Sequence, residues 1–177
     1  MKGEIMSNFP AYSIKSALAA FSIYLQQDLT PQHKRQLVND SRQVSQHDIF
    51  CAVHGSIQDG TVYIEQAINA GADLVLAQCS NAEQHGSLTV KNVCDEQRAE
   101  RTVSIIQFYQ LDFHLFELAK RYYGQPQHDM IMIGITGTNG KTSTSQIIAQ
   151  LLDSCGKNCA VIGTSGAGKL SKLAPLV

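Results

Sequence analysis

The residues with the clearest chemical content lie between Thr136 and Ser143. They read Thr136-Gly137-Thr138-Asn139-Gly140-Lys141-Thr142-Ser143, which sets two glycines and a lysine beside consecutive hydroxyl side chains. Backbone N–H groups in such a turn can approach phosphate oxygens because no Cβ intervenes, and a helix starting there adds partial positive charge. Lys141 would then reach the terminal phosphates of a nucleotide, and the Thr142 hydroxyl would ligate magnesium. The flanks suit this chemistry. The apolar run Met130–Ile135 predicts a buried strand. Ile147, Ile148, Leu151 and Leu152 recur at helical spacing and predict a helix from about Lys141 to Ser154, closed by Gly156.

The glycine spacing departs from the general phosphate-loop pattern G-x₄-G-K-[ST], because the position that should hold the first glycine is Ile135. A second stretch, Gly163-Thr-Ser-Gly-Ala-Gly168-Lys169, fits G-x₄-G-K better. It is followed by Leu170, which has no hydroxyl for magnesium, and Pro175 prevents a long helix. Context therefore favours Thr136–Thr142, and Gly163–Lys169 is expected to be a surface loop.

The elements needed to position such a loop can be read from the whole chain. With 177 residues, 44% hydrophobic and 16% charged, the chain is expected to be globular. A net charge of −1 supplies no basic field for nucleic acid or an anionic membrane. No apolar run approaches the roughly 20 residues of a membrane span. Ala17 to Leu25 imitates a signal segment, but Ile14, Leu18, Phe21 and Leu25 fit an amphipathic helix with Ser13 as its N-cap. The five cysteines contain no C-x-x-C pair and are expected to be reduced thiols. The six histidines offer no triad or paired-ligand spacing.

Short strands are expected at Arg35–Val38 and Asp48–Val53, with Asp40-Ser41-Arg42 between them. A helix around Ile64, Ala67 and Ile68 is stopped by Gly71, and a strand follows at Asp73–Ala77. Leu88–Val90 and Val103–Phe108 are further strands. A helix then carries Leu111, Leu115, Leu118 and Tyr122, with Lys120 and Arg121 near its negative pole and Gly124 as cap. Gly124–Asp129 reads as a linker, which predicts one domain over residues 1–124 and the start of a second over residues 125–177. The last strand is expected at Cys159–Ile162.

Thr136–Thr142 resembles the ATP-binding loop of the Mur ligase family, which accounts for the unusual glycine spacing. Asn39-Asp40-Ser41-Arg42, then Asp48-Ile49-Phe50-Cys51-Ala52-Val53-His54-Gly55, Asp59-Gly60 and Ala67-Ile68-x-x-Gly71-Ala72 resemble the family's front domain. The likeness is to the branch that adds the third amino acid to UDP-N-acetylmuramoyl-L-alanyl-D-glutamate. His47 stands where that branch commonly has glycine, and Ser143 where it commonly has threonine.

The resemblance implies an α/β architecture: a small α/β N-terminal domain for the UDP-substrate, then the first strand–loop–helix–strand part of a central ATPase domain. It assigns Asn39, Ser41, Ser56, Ile57 and Gln58 to the UDP-substrate. Gly137, Thr138, Asn139, Gly140, Lys141, Thr142 and Ser143 go to ATP, with Lys141 catalytic and Thr142 on Mg2+. Without the resemblance, Asp40-Ser41-Arg42 reads as a turn whose side chains bond locally. The implied reaction, in peptidoglycan synthesis, activates a carboxylate as an acyl phosphate that an amine (diaminopimelate or lysine) attacks. The amino acid would bind a later domain that the chain lacks, so these residues alone are expected to be inactive. A monomeric cytoplasmic enzyme without nucleic-acid or membrane partners is expected. The alternatives are a MurF-like ligase, a nucleotide-binding module without ligase chemistry, and a module that only binds a UDP-sugar. The guanine-reading [NT]-K-x-D motif of a GTPase is missing from the sequence.

Overall fold

The computed structural model describes residues 13–26, 35–55, 59–94 and 100–174. The chain divides into two compact units, Met1–His128 and Asp129–Val177.

In the first unit, helix α1 (Ile14–Ala19) is capped by the Ser13 side chain, which accepts from the Ser16 N–H at 3.2 Å. It is shorter than the periodicity through Leu25 predicts. The Ile23 N–H bonds back to the Leu18 carbonyl, and Ser22 takes φ +61°. That turn swings Ile23 into the core at 3% exposure, off the face that a longer helix would bury.

The strands are β1 (Leu37–Val38), β2 (Ile49–Ala52), β3 (Leu74–Cys79), β4 (Leu88–Cys94) and β5 (Glu100–Tyr109). They form one sheet in the order β1-β2-β3-β5-β4. All pairs are parallel except that of β4, which runs antiparallel at one edge. Helix α2 (Ile64–Asn69) connects β2 to β3, and helix α3 (Leu111–Tyr122) follows β5. Strand alternation sorts the apolar side chains onto two faces. Ile49, Cys51, Leu74, Leu76, Ile106 and Phe108 pack with Leu18 of α1 and Leu111 and Leu118 of α3. Phe50, Ala52, Val75, Ala77 and Val103 pack with Ala67 and Ile68 of α2. Each fully buried leucine contributes about 1.5–3 kcal/mol of transfer free energy. Both faces are covered, which is why β2 and β3 read as continuous apolar runs.

The N-terminal ends of these strands are gathered by Asp73. Its Oδ2 accepts from Arg35 Nη2 at 3.1 Å and meets His47 Nδ1 at 3.0 Å, and Arg101 Nη1 lies 3.9 Å from Oδ1. Arg101 also donates to the carbonyls of Ala72 and Ile68. His47 has φ +72°, a left-handed conformation that explains why glycine suits this position. Asp48 is buried, and its carboxylate accepts from the N–H groups of Gln36 and Ser45. At the other end of α3, Tyr123 Oη accepts from the Leu37 N–H at 2.9 Å and Tyr122 Oη donates to the Arg35 carbonyl at 3.2 Å. Those two bonds tie the helix to the start of β1.

The second unit contains helix α4 (Lys141–Ser154), with the predicted boundaries and Gly156 at φ +71° just beyond it. Strands β6 (Val161–Gly163) and β7 (Gly166–Gly168) form an antiparallel hairpin. β6 lies slightly later than the expected Cys159–Ile162. The stretch Gly163–Lys169, expected to be a surface loop, forms the hairpin turn and β7. Glycines on both sides of a two-residue connection, Thr164-Ser165, permit that tight reversal. The expected strand Met130–Ile135 is not formed among the described residues. Ile131 and Met132 are 93% and 71% exposed. A buried parallel strand exists only by pairing with neighbours, and β6 and β7 pair with each other instead.

Candidate functional site

Two sets of residues carry the predicted chemistry, one in each unit. The first lies at the carboxyl ends of the parallel strands, where open α/β sheets place their ligands. β1 and β2 are parallel neighbours with Val38 opposite Phe50, so both strands end at the same edge of the sheet, β2 two residues beyond β1. Asn39 follows β1 directly and is exposed. Asp40 caps the single turn Ser41–Gln43 by accepting from the Arg42 N–H at 3.0 Å. The Arg42 guanidinium clasps the same carboxylate, with Nε 2.9 Å from Oδ1 and Nη2 2.7 Å from Oδ2. The Arg42 side-chain bond, reinforced by the backbone bond, lowers the Asp40 pKa to about 2. Ser41 is 8% exposed, and its hydroxyl donates to Gln66 Oε1 at 3.1 Å. The locally bonded turn read from the sequence is therefore present, with Ser41 held by α2 and Asn39 left open.

Ser56, Ile57 and Gln58 lie outside the described residues, but the ends of their loop are well defined. His54 and Asp59 form an antiparallel bridge, with His54 Nε2 3.7 Å from Asp59 Oδ1. The Gly60 N–H donates to the Val53 carbonyl at 2.8 Å, and a Cβ on Gly60 would come within 2.6 Å of that oxygen. Asp59 accepts from both the N–H and the hydroxyl of Thr61, which draws its pKa below the ordinary value. The loop after β2 thus leaves and re-enters the strand end through a narrow neck.

The sequence gives no signal for the residues bracing that neck. Gln78, at the end of β3, accepts from the His54 N–H at 3.1 Å and donates to Asp112 Oδ1 at 2.8 Å. One amide therefore joins the loop after β2 to the first turn of α3. Gln66 does the same for Ser41. Neither has a recognisable spacing, because their partners are distant in the chain.

The second set is the glycine loop before α4. Gly140 is the N-cap in the left-handed region at φ +77°, and Gly137 has φ +149°. Both conformations are strained for any residue with a Cβ. No side chain caps α4. Its first intrahelical bond runs from the Thr144 N–H to the Gly140 carbonyl at 2.8 Å, which leaves the preceding N–H groups without helical acceptors. Lys141 and Thr142 are exposed at this terminus. Lys141 Nζ donates to the carbonyls of Gly137 at 2.5 Å and Thr138 at 3.3 Å. The Thr142 hydroxyl lies 3.4 Å from that of Thr164 on the β6–β7 turn. Open N–H groups, an ammonium and a hydroxyl around a glycine turn make a donor set suited to a polyphosphate and its cation.

The remaining candidates for chemistry are quiet. Burial pushes the Cys51 thiol up to about 12 and raises that of Cys79. Among the described residues, no three His, Cys, Asp or Glu side chains are grouped to hold a metal, and no helix is long and apolar enough to cross a membrane.

Comparisons with known proteins match both units. The profile of the Mur ligase middle domain matches residues 135–173, from the glycine loop through the hairpin. The chain is 43% identical over 136 residues to the UDP-N-acetylmuramoyl-L-alanyl-D-glutamate--2,6-diaminopimelate ligase of Vibrio vulnificus, covering 77% of this chain and 25% of that protein. It is 40% identical over 134 residues to the ligase of the same name from Ectopseudomonas mendocina. The chain thus spans about a quarter of the length of the curated relatives it matches. A solved structure of a ligase with that name covers 93% of this chain with a TM-score of 0.54 at 27% identity, this chain covering 30% of it. A UDP-N-acetylmuramoylalanyl-D-glutamyl-2,6-diaminopimelate--D-alanyl-D-alanyl ligase from Acinetobacter baumannii shares the fold at a TM-score of 0.50 and 17% identity, over 84% of this chain and 30% of its own. The profile described as Mur ligase family, catalytic domain, matches residues 35–123, just over half of the sequence, and the chain belongs to the Mur ligase family.

Proposed function

We propose that these residues are the UDP-substrate domain and the ATP loop of an ATP-dependent ligase. That ligase adds the third amino acid, diaminopimelate or lysine, to UDP-N-acetylmuramoyl-L-alanyl-D-glutamate in peptidoglycan synthesis. The observation that carries the reading is the uncapped N-terminus of α4, with Gly137, Gly140, Lys141 and Thr142 arranged around it, in a chain of which 93% aligns with a solved diaminopimelate ligase. The shared edge at which β1 and β2 end, with Asn39 exposed just beyond β1, supports the other half.

The residues fit a magnesium–nucleotide complex. The open N–H groups of Lys141, Thr142 and Ser143, with the loop of Gly137, Thr138, Asn139 and Gly140, would hold the phosphates. Lys141 would offset their charge and Thr142 would hold the cation. Bound ATP supplies the phosphoryl group that activates a substrate carboxylate for attack by an amine. In the front domain, Asn39 and Ser41, with Ser56, Ile57 and Gln58, would hold the UDP end and so deliver that carboxylate in a fixed orientation. The enzyme is proposed to work in the cytoplasm as a monomer.

Titrating the chain separately with ATP and with UDP-N-acetylmuramoyl-L-alanyl-D-glutamate tests the reading. Saturable binding of both is expected. Nucleotide binding without sugar-nucleotide binding would favour a simple nucleotide module and sink the front-domain assignment. Binding of neither would sink the whole reading.

A further inference from the structure

We propose that Thr164 is a positioning residue of the nucleotide site, accepting a hydrogen bond from the Thr142 hydroxyl so that a lone pair of Thr142 Oγ1 faces the magnesium ion. The inference rests on the nucleotide-loop reading and adds a residue that neither the loop motif nor the helix supplies.

The geometry comes from the stretch with the better-spaced but unsuitable glycine pattern. Gly163–Lys169 is not a second phosphate loop. It is the hairpin β6–β7, and Gly163 pairs with Gly166 so that Thr164 and Ser165 form its tip. The hairpin is anchored at several points. Ala167 and Ala174 exchange backbone bonds of 2.8 and 3.0 Å, and Lys169 Nζ donates to Asn158 Oδ1 at 2.9 Å. A Cβ on Gly168, where φ is +133°, would come within 2.9 Å of the Lys172 carbonyl, so the strand packs tightly on the following turn. This bracing holds the tip against the first turn of α4, where the two threonine hydroxyls are 3.4 Å apart.

The chemistry follows from the inventory of a hydroxyl, which has one proton and two lone pairs. A threonine that ligates a cation spends a lone pair and must send its proton elsewhere. In the described structure the Thr142 and Ser145 side chains do not compete for this role, because the Ser145 hydroxyl donates to the Thr142 carbonyl at 2.8 Å. Thr164 Oγ1 is the acceptor at hand. At 3.4 Å the contact is longer than the roughly 2.8 Å of a strong O–H···O bond, as is common for functional contacts before ligand arrives. A group that orients a metal ligand typically controls about 10–100-fold in metal affinity.

The test uses the full chain and a fluorescent ATP analogue, with magnesium and with chelator. Wild type and Thr142→Val, Thr164→Val and Thr164→Ser are compared, with circular dichroism to confirm folding. Magnesium is expected to strengthen analogue binding to wild type. Thr164→Val should lose about tenfold of that strengthening, keep its affinity in chelator, and be rescued by Thr164→Ser. A magnesium effect undiminished in Thr164→Val overturns the proposal. So does an equal loss with and without magnesium, which would mark a merely structural role. Failure of wild type to bind the analogue at all defeats the nucleotide reading itself, and is seen before any Thr164 variant is compared.

Discussion

The ammonium of Lys141 lies 2.5 Å from the carbonyl oxygen of Gly137, so the lysine that would serve the phosphate is bonded to the loop around it. The contact holds the cation over the turn instead of leaving it loose in solvent. An arriving phosphate replaces a neutral oxygen partner with an anionic one, which adds ion-pair attraction to a bond the ammonium already makes charge-assisted. Lys141→Ala is expected to lower ATP turnover in a complete enzyme by about a hundredfold or more. Binding of the UDP-substrate should be nearly unchanged, because the residues proposed for it lie in the other unit. Calorimetry with each ligand and a phosphate-release assay check the split. Wild-type turnover by this variant would remove Lys141 from the chemistry.

Gly60→Ala tests the neck of the loop after β2. The new Cβ would meet the Val53 carbonyl at 2.6 Å, so backbone must move. Overpacking of this kind costs about 1–3 kcal/mol. A thermal melt should show the loss, and UDP-substrate affinity should fall with it because the 56–58 loop springs from the displaced residues. An unchanged melting temperature would mean that the neck is not rigid.

The Asp40–Arg42 clasp predicts a pH dependence with a definite sign. The folded pKa, about 2, lies below the ordinary 3.8, so the carboxylate favours the folded state. Its contribution is full above about pH 4 and is lost as the pH falls through about 2. Carboxyl carbon NMR should show Asp40 titrating near 2. In Arg42→Ala the midpoint should return toward 3.8, and a midpoint unmoved by that substitution would refute the clasp as its cause.

His47 sets two effects against each other. Its φ of +72° is costly for a residue with a Cβ, and its ring meets Asp73 at 3.0 Å. His47→Ala keeps the strain and loses the contact, whereas His47→Gly loses both. The alanine variant should therefore be the less stable of the two, by about 1 kcal/mol. Denaturant melts of the pair measure the difference directly, and equal stability would show that the positive φ carries no cost.

Much of this architecture was legible because it rests on local or periodic signals. The two long helices announced themselves through Leu111-Leu115-Leu118 and Ile147-Ile148-Leu151-Leu152, and the buried parallel strands through apolar runs. β4 was harder, since an edge strand carrying Lys91 and Asn92 has no clean alternation. Met130–Ile135 shows the opposite failure. Its composition is that of a strand, but a strand is a relation between segments, and composition cannot supply the partner. For the candidate site, residue types pointed to Lys141 and Thr142, and the family likeness pointed to Asn39 and Ser41. Gln66, Gln78 and Thr164 stayed hidden because each acts on a residue more than twenty positions away.

Asp73 gathers Arg35, His47 and Arg101 at the amino ends of the strands, while Asn39 and the loop after β2 leave from the carboxyl ends. The ion-pair cluster and the residues proposed for the UDP end therefore lie at opposite ends of one sheet. A substitution among the residues proposed for the UDP end leaves the ion pairs of Asp73 in place.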